Sequence, residues 1–298
     1  TAIGTEENKF KGTFDGNGHI ITGLYINKET ENYQGFLGDS DGEIRNVGVE
    51  DAYVKGHSYV GALVGNIHGS SNSKIDNCYS TGSVVGTKTY AGGLAGRAFI
   101  SNDCYSSCSV TGSGLVGGLI GELLSSLTNS YATGNVTGSI WVGGLIGTIF
   151  LGLSITNAYA TGNVTGPSSV GGFTGRVYKP TGTLNMNNII STGIVTATSN
   201  KAIGSLIGNL NNTTDGTSFG TINITNAYAL DQDIDMIGFE GTNDGTAYSS
   251  GQMEDWLANI TVIDTSTTLQ VGINGDSSSQ IGFDTTLNVG LQGLNVKS

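Results

Sequence analysis

The stretch "TNSYATGNVTGSIWVGGLIG" (128–147) is followed at an offset of 28 by "TNAYATGNVTGPSSVGGFTG" (156–175), with fourteen of twenty positions identical. Working outward, the closing glycine recurs at Gly38, Gly65, Gly96, Gly121, Gly147, Gly175 and Gly208. Each ends one version of a phrase: "YQGFLG", "VGALVG", "AGGLAG", "VGGLIG", "VGGLIG", "VGGFTG", "IGSLIG". A first half-motif alternates with it, as in "DNCYSTGSVVG" (76–86), "NDCYSSCSVTG" (102–112) and the looser "MNNIISTGIVT" (186–196). Self-similarity at this period signals a repeat architecture, in which each unit completes its core only against its neighbours.

Helical repeats are excluded, because the stretch 30–248 shows no period of 3.6 and glycine at every fourth or fifth residue opposes helices. The chain holds 49 Gly but only two Pro, 37% apolar residues and 12% charged ones. Collagen would need Gly at every third position, and disorder would need more charge and less apolar content. Each unit instead offers three short strands separated by glycine, in the fourth unit near "LTNSYA", "NVTG" and "VGGLIG". One unit per lap, with laps about 4.8 Å apart, describes a parallel β-helix of about seven coils.

Stacking in register turns repetition into columns. One is Phe36, Leu63, Leu94, Leu119, Leu145, Phe173 and Leu206; another is Val84, Val110, Val136, Val164 and Val195. An Asn column (Asn77, Asn129, Asn157, Asn188, Asn226, with Asp103 in one coil) can chain amides along the axis, as stacked Asn do elsewhere. Tyrosines run through Tyr79, Tyr105, Tyr131, Tyr159 and Tyr228. The glycine columns are expected where a turn needs φ > 0 in every coil. Cys108 tests that expectation, because it stands where Gly82, Gly134 and Gly162 stand in other units. Cys78 and Cys104 share one repeat position, and all three cysteines read as small buried residues rather than a disulfide or zinc framework.

These phrases resemble the GLUG motif, a repeat of bacterial surface and adhesin-like proteins and of the non-catalytic region of immunoglobulin-A-cleaving metalloproteases. The lead-in "IGTEENKFKGTFDGNGHIITGLYI" (3–26) and the exit "YSSGQMEDW" (248–256) extend the resemblance over about residues 3–256. It implies a right-handed solenoid in an exported or surface-displayed protein. The segment 267–296 is similar to the inner-domain hairpin of bacterial flagellins, which would make the solenoid an insertion in a filament protein. A hairpin closing the solenoid's end is the alternative. The expected division is a solenoid over 1–230 and, over 231–298, an exit segment with a short helix near 251–258 and a small antiparallel β unit.

Function classes narrow by chemistry. A net charge of −12 with scattered Lys and Arg opposes a nucleic-acid partner. The uncharged run 139–155 holds four Gly in register with the repeat, so no membrane insertion is expected. The chain starts at Thr1 without a signal peptide, the pattern of a processed protein or an excised fragment. Parallel β-helices include polysaccharide lyases and hydrolases, which need paired carboxylates or an acid cluster holding calcium. Here the coils over 75–175 carry only Asp76, Asp103 and Glu122 against Lys88 and Arg97. His19, His57 and His68 have no evident acidic partner, so no catalytic residue, no cofactor and no metal site is expected. "DSDGE" (39–43) looks like half a calcium loop, and Asp231, Asp233 and Asp235 lie on one side of any strand, a solvated edge more readily than a calcium site.

Binding remains. Tyr59, Tyr90, Leu115 and Trp141, flanked by Asn32, Ser169 and Ala202, hold one position in successive coils. If the Gly-Gly corner reverses strand parity, they form an outward, partly aromatic stripe about 15 Å long, suited to sugar rings or an apolar protein face. The alternative is that the column packs under a loop or into the core. The resulting expectation is a non-catalytic extracellular or cell-surface module for display, spacing or adhesion. Its partner would be a host or bacterial surface glycan or protein. The alternatives are self-assembly in a flagellin-like filament and a β-helix polysaccharide enzyme.

Overall fold

A computed structural model describes residues 2–69, 73–100, 102–150, 152–178, 182–211, 221–229, 234 and 260–263. The expected helix near 251–258, the hairpin over 267–296 and the three aspartates 231, 233 and 235 lie outside these residues. The described elements are all strands, and every pairing between named strands is parallel. No helix among them is long and apolar enough to cross a membrane.

The strands form a β-solenoid with two sheets. One has seven strands: Leu37–Ser40, Val64–Ile67, Ala95–Ala98, Ile120–Leu123, Ile146–Phe150, Thr174–Tyr178 and Ile207–Asn211. Six complete laps separate the first from the last, in line with the expected seven coils. The other sheet has fifteen strands and supplies the remaining sides of each lap. In the fourth unit it contributes Leu127–Ala132, Val136–Thr137 and Ile140–Gly143, after which the chain turns at Gly144–Leu145 into the seven-stranded sheet. The single strand expected at "VGGLIG" is thus two, in different sheets, broken where two glycines remove the side chains that would resist a corner. Beyond residue 230 the parallel sheet continues, with Ile260–Ile263 paired to Thr221–Ala229.

The columns stand as the repeat demands except at Phe36, which is half-buried and donates its backbone N to Ala62 O, so that Leu37 N and not Phe36 N reaches Leu63 O. Leu63 N donates to Leu94 O, Leu94 N to Leu119 O, Leu119 N to Leu145 O, Leu145 N to Phe173 O and Phe173 N to Leu206 O, at 2.9–3.0 Å. All six side chains are fully buried, and each fully buried Leu or Phe contributes about 1.5–3 kcal/mol of transfer free energy. The Val column pairs residue for residue from Val84 to Val195. Tyr79, Tyr105, Tyr131 and Tyr159 stack with ring centroids 4.8, 4.8 and 4.5 Å apart and nearly parallel planes. The Asn ladder also forms: Asn77 Nδ2 donates to Asn46 Oδ1, Asn129 to Asp103, Asn157 to Asn129 and Asn188 to Asn157, at 2.8–3.2 Å. Cys78, Cys104 and Cys108 are free and buried.

The glycine columns have a different cause from the expected one. Within the glycine columns positive φ occurs at Gly82 (φ 120°); otherwise it falls on Asn46, Asn77, Asp103, Asn129, Asn157 and Asn188, and on a second column of Tyr33, Tyr59, Tyr90, Leu115, Trp141, Ser169 and Ala202. Glycine is needed because backbones approach too closely for a side chain: a Cβ at Gly134 would lie 1.9 Å from the Cys108 carbonyl oxygen. Cys108 itself has no positive φ and is tolerated. Asn suits the left-handed region because its short polar side chain bonds locally.

Candidate functional site

The expected stripe is one of the two left-handed corners. Tyr59, Tyr90, Leu115 and Trp141 have φ between 49° and 61°, a conformation that costs an L residue about 1–2 kcal/mol. Ser169 and Ala202 adopt it too, so the conformation belongs to the fold and does not by itself mark a site. The arm after the corner folds back closely: a Cβ at Gly121 would meet the Leu115 carbonyl oxygen at 2.7 Å. That approach explains the closing glycine of every phrase.

Two corrections reshape the stripe. In the first coil Gln34 pairs with Val60, so Tyr33 and not Asn32 holds the corner. The unit "YQGFLG" is one residue shorter between there and the pairing of Leu37 with Val64. Leu115 is only 5% exposed, so the column is not a continuous outward surface. It divides into a tyrosine patch and a separate tryptophan. Tyr33, Tyr59 and Tyr90 are half-buried and stacked at 4.9 and 4.5 Å. Burial, aided by Glu6, Tyr59 and Asp39, pushes the Tyr33 phenol up to about 12.

Trp141 is half-buried on the same edge. The Arg176 guanidinium lies over its ring, 3.7 Å from the centroid, and 4.5 Å from the centroid of Tyr178. Burial holds Arg176 below the usual arginine range, and its Nε is shielded from water with no hydrogen-bond partner. A flat guanidinium between two rings is suited to recognise a planar anion such as a carboxylate.

Beside this edge runs a polar column that sequence reasoning missed. Register aligns Asp39, Asn66, Arg97, Glu122, Thr148, Arg176 and Asn209 in the seven-stranded sheet. Arg97 Nε donates to Glu122 Oε2 at 2.6 Å. His68 Nε2 lies 3.0 Å from Asp39 Oδ1, which overturns the expectation that no histidine has an acidic partner. Asp39 belongs to a strand and is fully buried, so "DSDGE" is not a calcium loop. His57 Nδ1 contacts Asn32 Oδ1 at 3.0 Å. Elsewhere on the first coils the charges pair: Arg45 with Asp15 and Glu43, Lys74 with Glu43, Lys55 with Glu29.

Residues 56–85 and 112–137 match the GLUG motif family. A 77-residue stretch is 38% identical to a Gly-rich membrane protein of Evansella cellulosilytica, covering 25% of this chain and 9% of that protein. A 93-residue stretch is 34% identical to the halomucin of Haloquadratum walsbyi, covering 30% of this chain and 1% of that protein. The chain therefore spans less than a tenth of the length of either relative. A crystal structure from Bacteroides ovatus, described as an immunoglobulin A1 protease, shares the fold with a TM-score of 0.54 at 23% identity, over 76% of this chain and 71% of that one.

Proposed function

We propose that this GLUG-motif β-solenoid is a non-catalytic module of an extracellular or cell-surface protein, serving as a stiff spacer that displays its neighbours. The supporting observation is the continuous parallel stacking of the described coils, with local register shifts absorbed at a few corners, in which side chains fill the interior and hydrogen bonds run along one axis. A halomucin and a membrane protein among the relatives accord with a surface location. Single-molecule pulling tests the reading: the chain should hold its length to high force and then lengthen in steps of one lap. Gradual extension at low force would refute it.

A second reading, adhesion, is favoured by Trp141 and Arg176. An acidic glycan or a protein carboxylate is the matching partner class, with the tyrosine patch as apolar support. Binding on an array of acidic and neutral glycans should favour the acidic ones and fall in Trp141→Ala. Equal binding by the variant would discard this edge as the adhesive surface. Release of reducing ends or unsaturated sugars from any polysaccharide would displace both readings in favour of an enzyme.

A further inference from the structure

The first two coils carry an arrangement that hydrogen bonding alone does not satisfy. Asn66 Nδ2 lies 2.9 Å from Asp39 Oδ1 and 2.7 Å from His68 Nε2. His68 Nε2 lies 3.0 Å from the same Asp39 Oδ1 and 3.2 Å from Oδ2. One ring nitrogen therefore faces a carboxylate, which calls for a proton on it, and an amide nitrogen, which calls for a lone pair. Turning the Asn66 amide over gives His68 an acceptor but sets the amide oxygen against the Asp39 carboxylate. Meanwhile Asn66 Oδ1 is buried with no hydrogen-bond partner. Every protonation and amide orientation leaves one repulsive contact or one orphaned atom.

A cation bound by all three groups removes the repulsion among them. With the amide turned, Asp39 Oδ1, Asn66 Oδ1 and His68 Nε2 are three lone-pair donors at the corners of a triangle with sides of 2.7–3.0 Å. Three adjacent ligands of an octahedral ion with bonds of about 2.1 Å stand about 3.0 Å apart. For calcium, at about 2.4 Å, the separation would be about 3.4 Å, and calcium also prefers an all-oxygen set. An imidazole with two oxygens suits a transition-metal dication.

The frame that holds the triangle is rigid on two corners. Asp39 and Asn66 are 0% and 1% exposed and sit in paired strands. The His68 side chain is 36% exposed, and its backbone N donates to Ser40 O, next to Asp39. The lead-in strand clasps the same place, with Phe10 N donating to Asp39 O. We propose that Asp39, Asn66 and His68 bind a transition-metal dication, with water completing the shell on the side where His68 is open. The ion clips the first coil to the second. No cluster of three His, Cys, Asp or Glu is placed to hold a metal among the described residues, and this site differs from such a cluster in that its third ligand is an amide.

The test uses the whole chain, titrated calorimetrically with Ni2+, Mn2+ and Ca2+, with thermal melts alongside. Ni2+ should bind at one site with micromolar or tighter affinity and raise the melting temperature, with Mn2+ binding more weakly, while Ca2+ at the same concentration should do neither. His68→Ala, at a half-open position, should melt like the metal-free chain and lose binding by at least tenfold. His57→Ala should bind like the unaltered chain. Asn66→Asp, which exchanges an amide ligand for a carboxylate, should bind at least tenfold tighter, although the metal-free form melts lower. Absence of binding at millimolar metal, retention by His68→Ala, weaker binding by Asn66→Asp or equal affinity for Ca2+ would each overturn the site.

Discussion

Asn157 separates the two contributions that hold the left-handed Asn corner. Its φ is 54°, its Nδ2 donates to Asn129 Oδ1 at 3.0 Å, and its Oδ1 accepts from Asn188 Nδ2 at 2.8 Å. Asn157→Gly keeps the backbone comfortable and removes both bonds. At about 0.5–1.5 kcal/mol net each, and with water able to reach a half-buried position, the loss is about 1–2 kcal/mol. Asn157→Ala loses the same bonds and adds left-handed strain of about 1–2 kcal/mol, offset by about 0.5–1 kcal/mol because Ala surrenders less entropy on folding. Alanine should therefore be the worse substitution by about 0.5–1 kcal/mol. Inside a strand the order normally runs the other way, as Thr156→Gly against Thr156→Ala should show at the neighbouring position, where φ is not positive. Urea unfolding followed by circular dichroism, with slopes compared between variants, measures the differences. If Asn157→Ala were as stable as Asn157→Gly, the strain assigned to the left-handed corner would not stand.

Gly134→Ala should be strongly destabilising, by several kcal/mol, because the new methyl meets a backbone carbonyl and not a yielding side chain; a melt within a few degrees of the parent would contradict the close approach. Leu119→Ala should cost about 2–5 kcal/mol, as for a fully buried leucine in a site unable to collapse, measured by the same urea series. The three thiols should resist a thiol-specific reagent at pH 8 until denaturant is added, since burial raises all three and pushes Cys78 up to about 12. Burial likewise raises the phenols of Tyr33 and Tyr131, each up to about 12. These groups stay protonated in the folded chain while thiols and phenols of the unfolded chain ionise from about pH 8.5 and 10. Stability should then be fully present below about pH 8.5 and decline as pH rises towards 12, and a melting temperature flat from pH 7.5 to 11 would refute this.

The ladders were legible because a solenoid writes its neighbours into its period: Leu94, Leu119 and Leu145 share a phrase and therefore a column. What escaped depends on lap length and corner geometry. His68 and Asp39 are 29 residues apart, and only the pairing of Asp39 with Asn66 at 27 shows that two further residues return the chain to the same spot. With laps of 25 to 33 residues, no fixed spacing announces such a meeting. Tyr33 was displaced by one because the first unit is shorter, a deletion that pattern matching at the closing glycine conceals. Leu115 had the right position and the wrong exposure, since an apolar residue between two aromatic neighbours reads the same whether it faces out or settles in. The role of glycine was misread because turn and close contact both select for the missing Cβ.

The fourth and fifth laps offer nearly interchangeable edges: Ala132 is matched by Ala160, Val136 by Val164 and Val142 by Val170. Excising the 28 residues from 134 to 161 would rejoin equivalent points and bring each remaining edge against a pattern it already fits. Length in such a rod is quantised, changing by one layer of about 4.8 Å without a new interior having to be invented. The same degeneracy exposes the nascent chain to skipping a layer, so fidelity in folding rests on the laps that differ, with their unequal loops and the charged pairs of the first coils serving as an index of position.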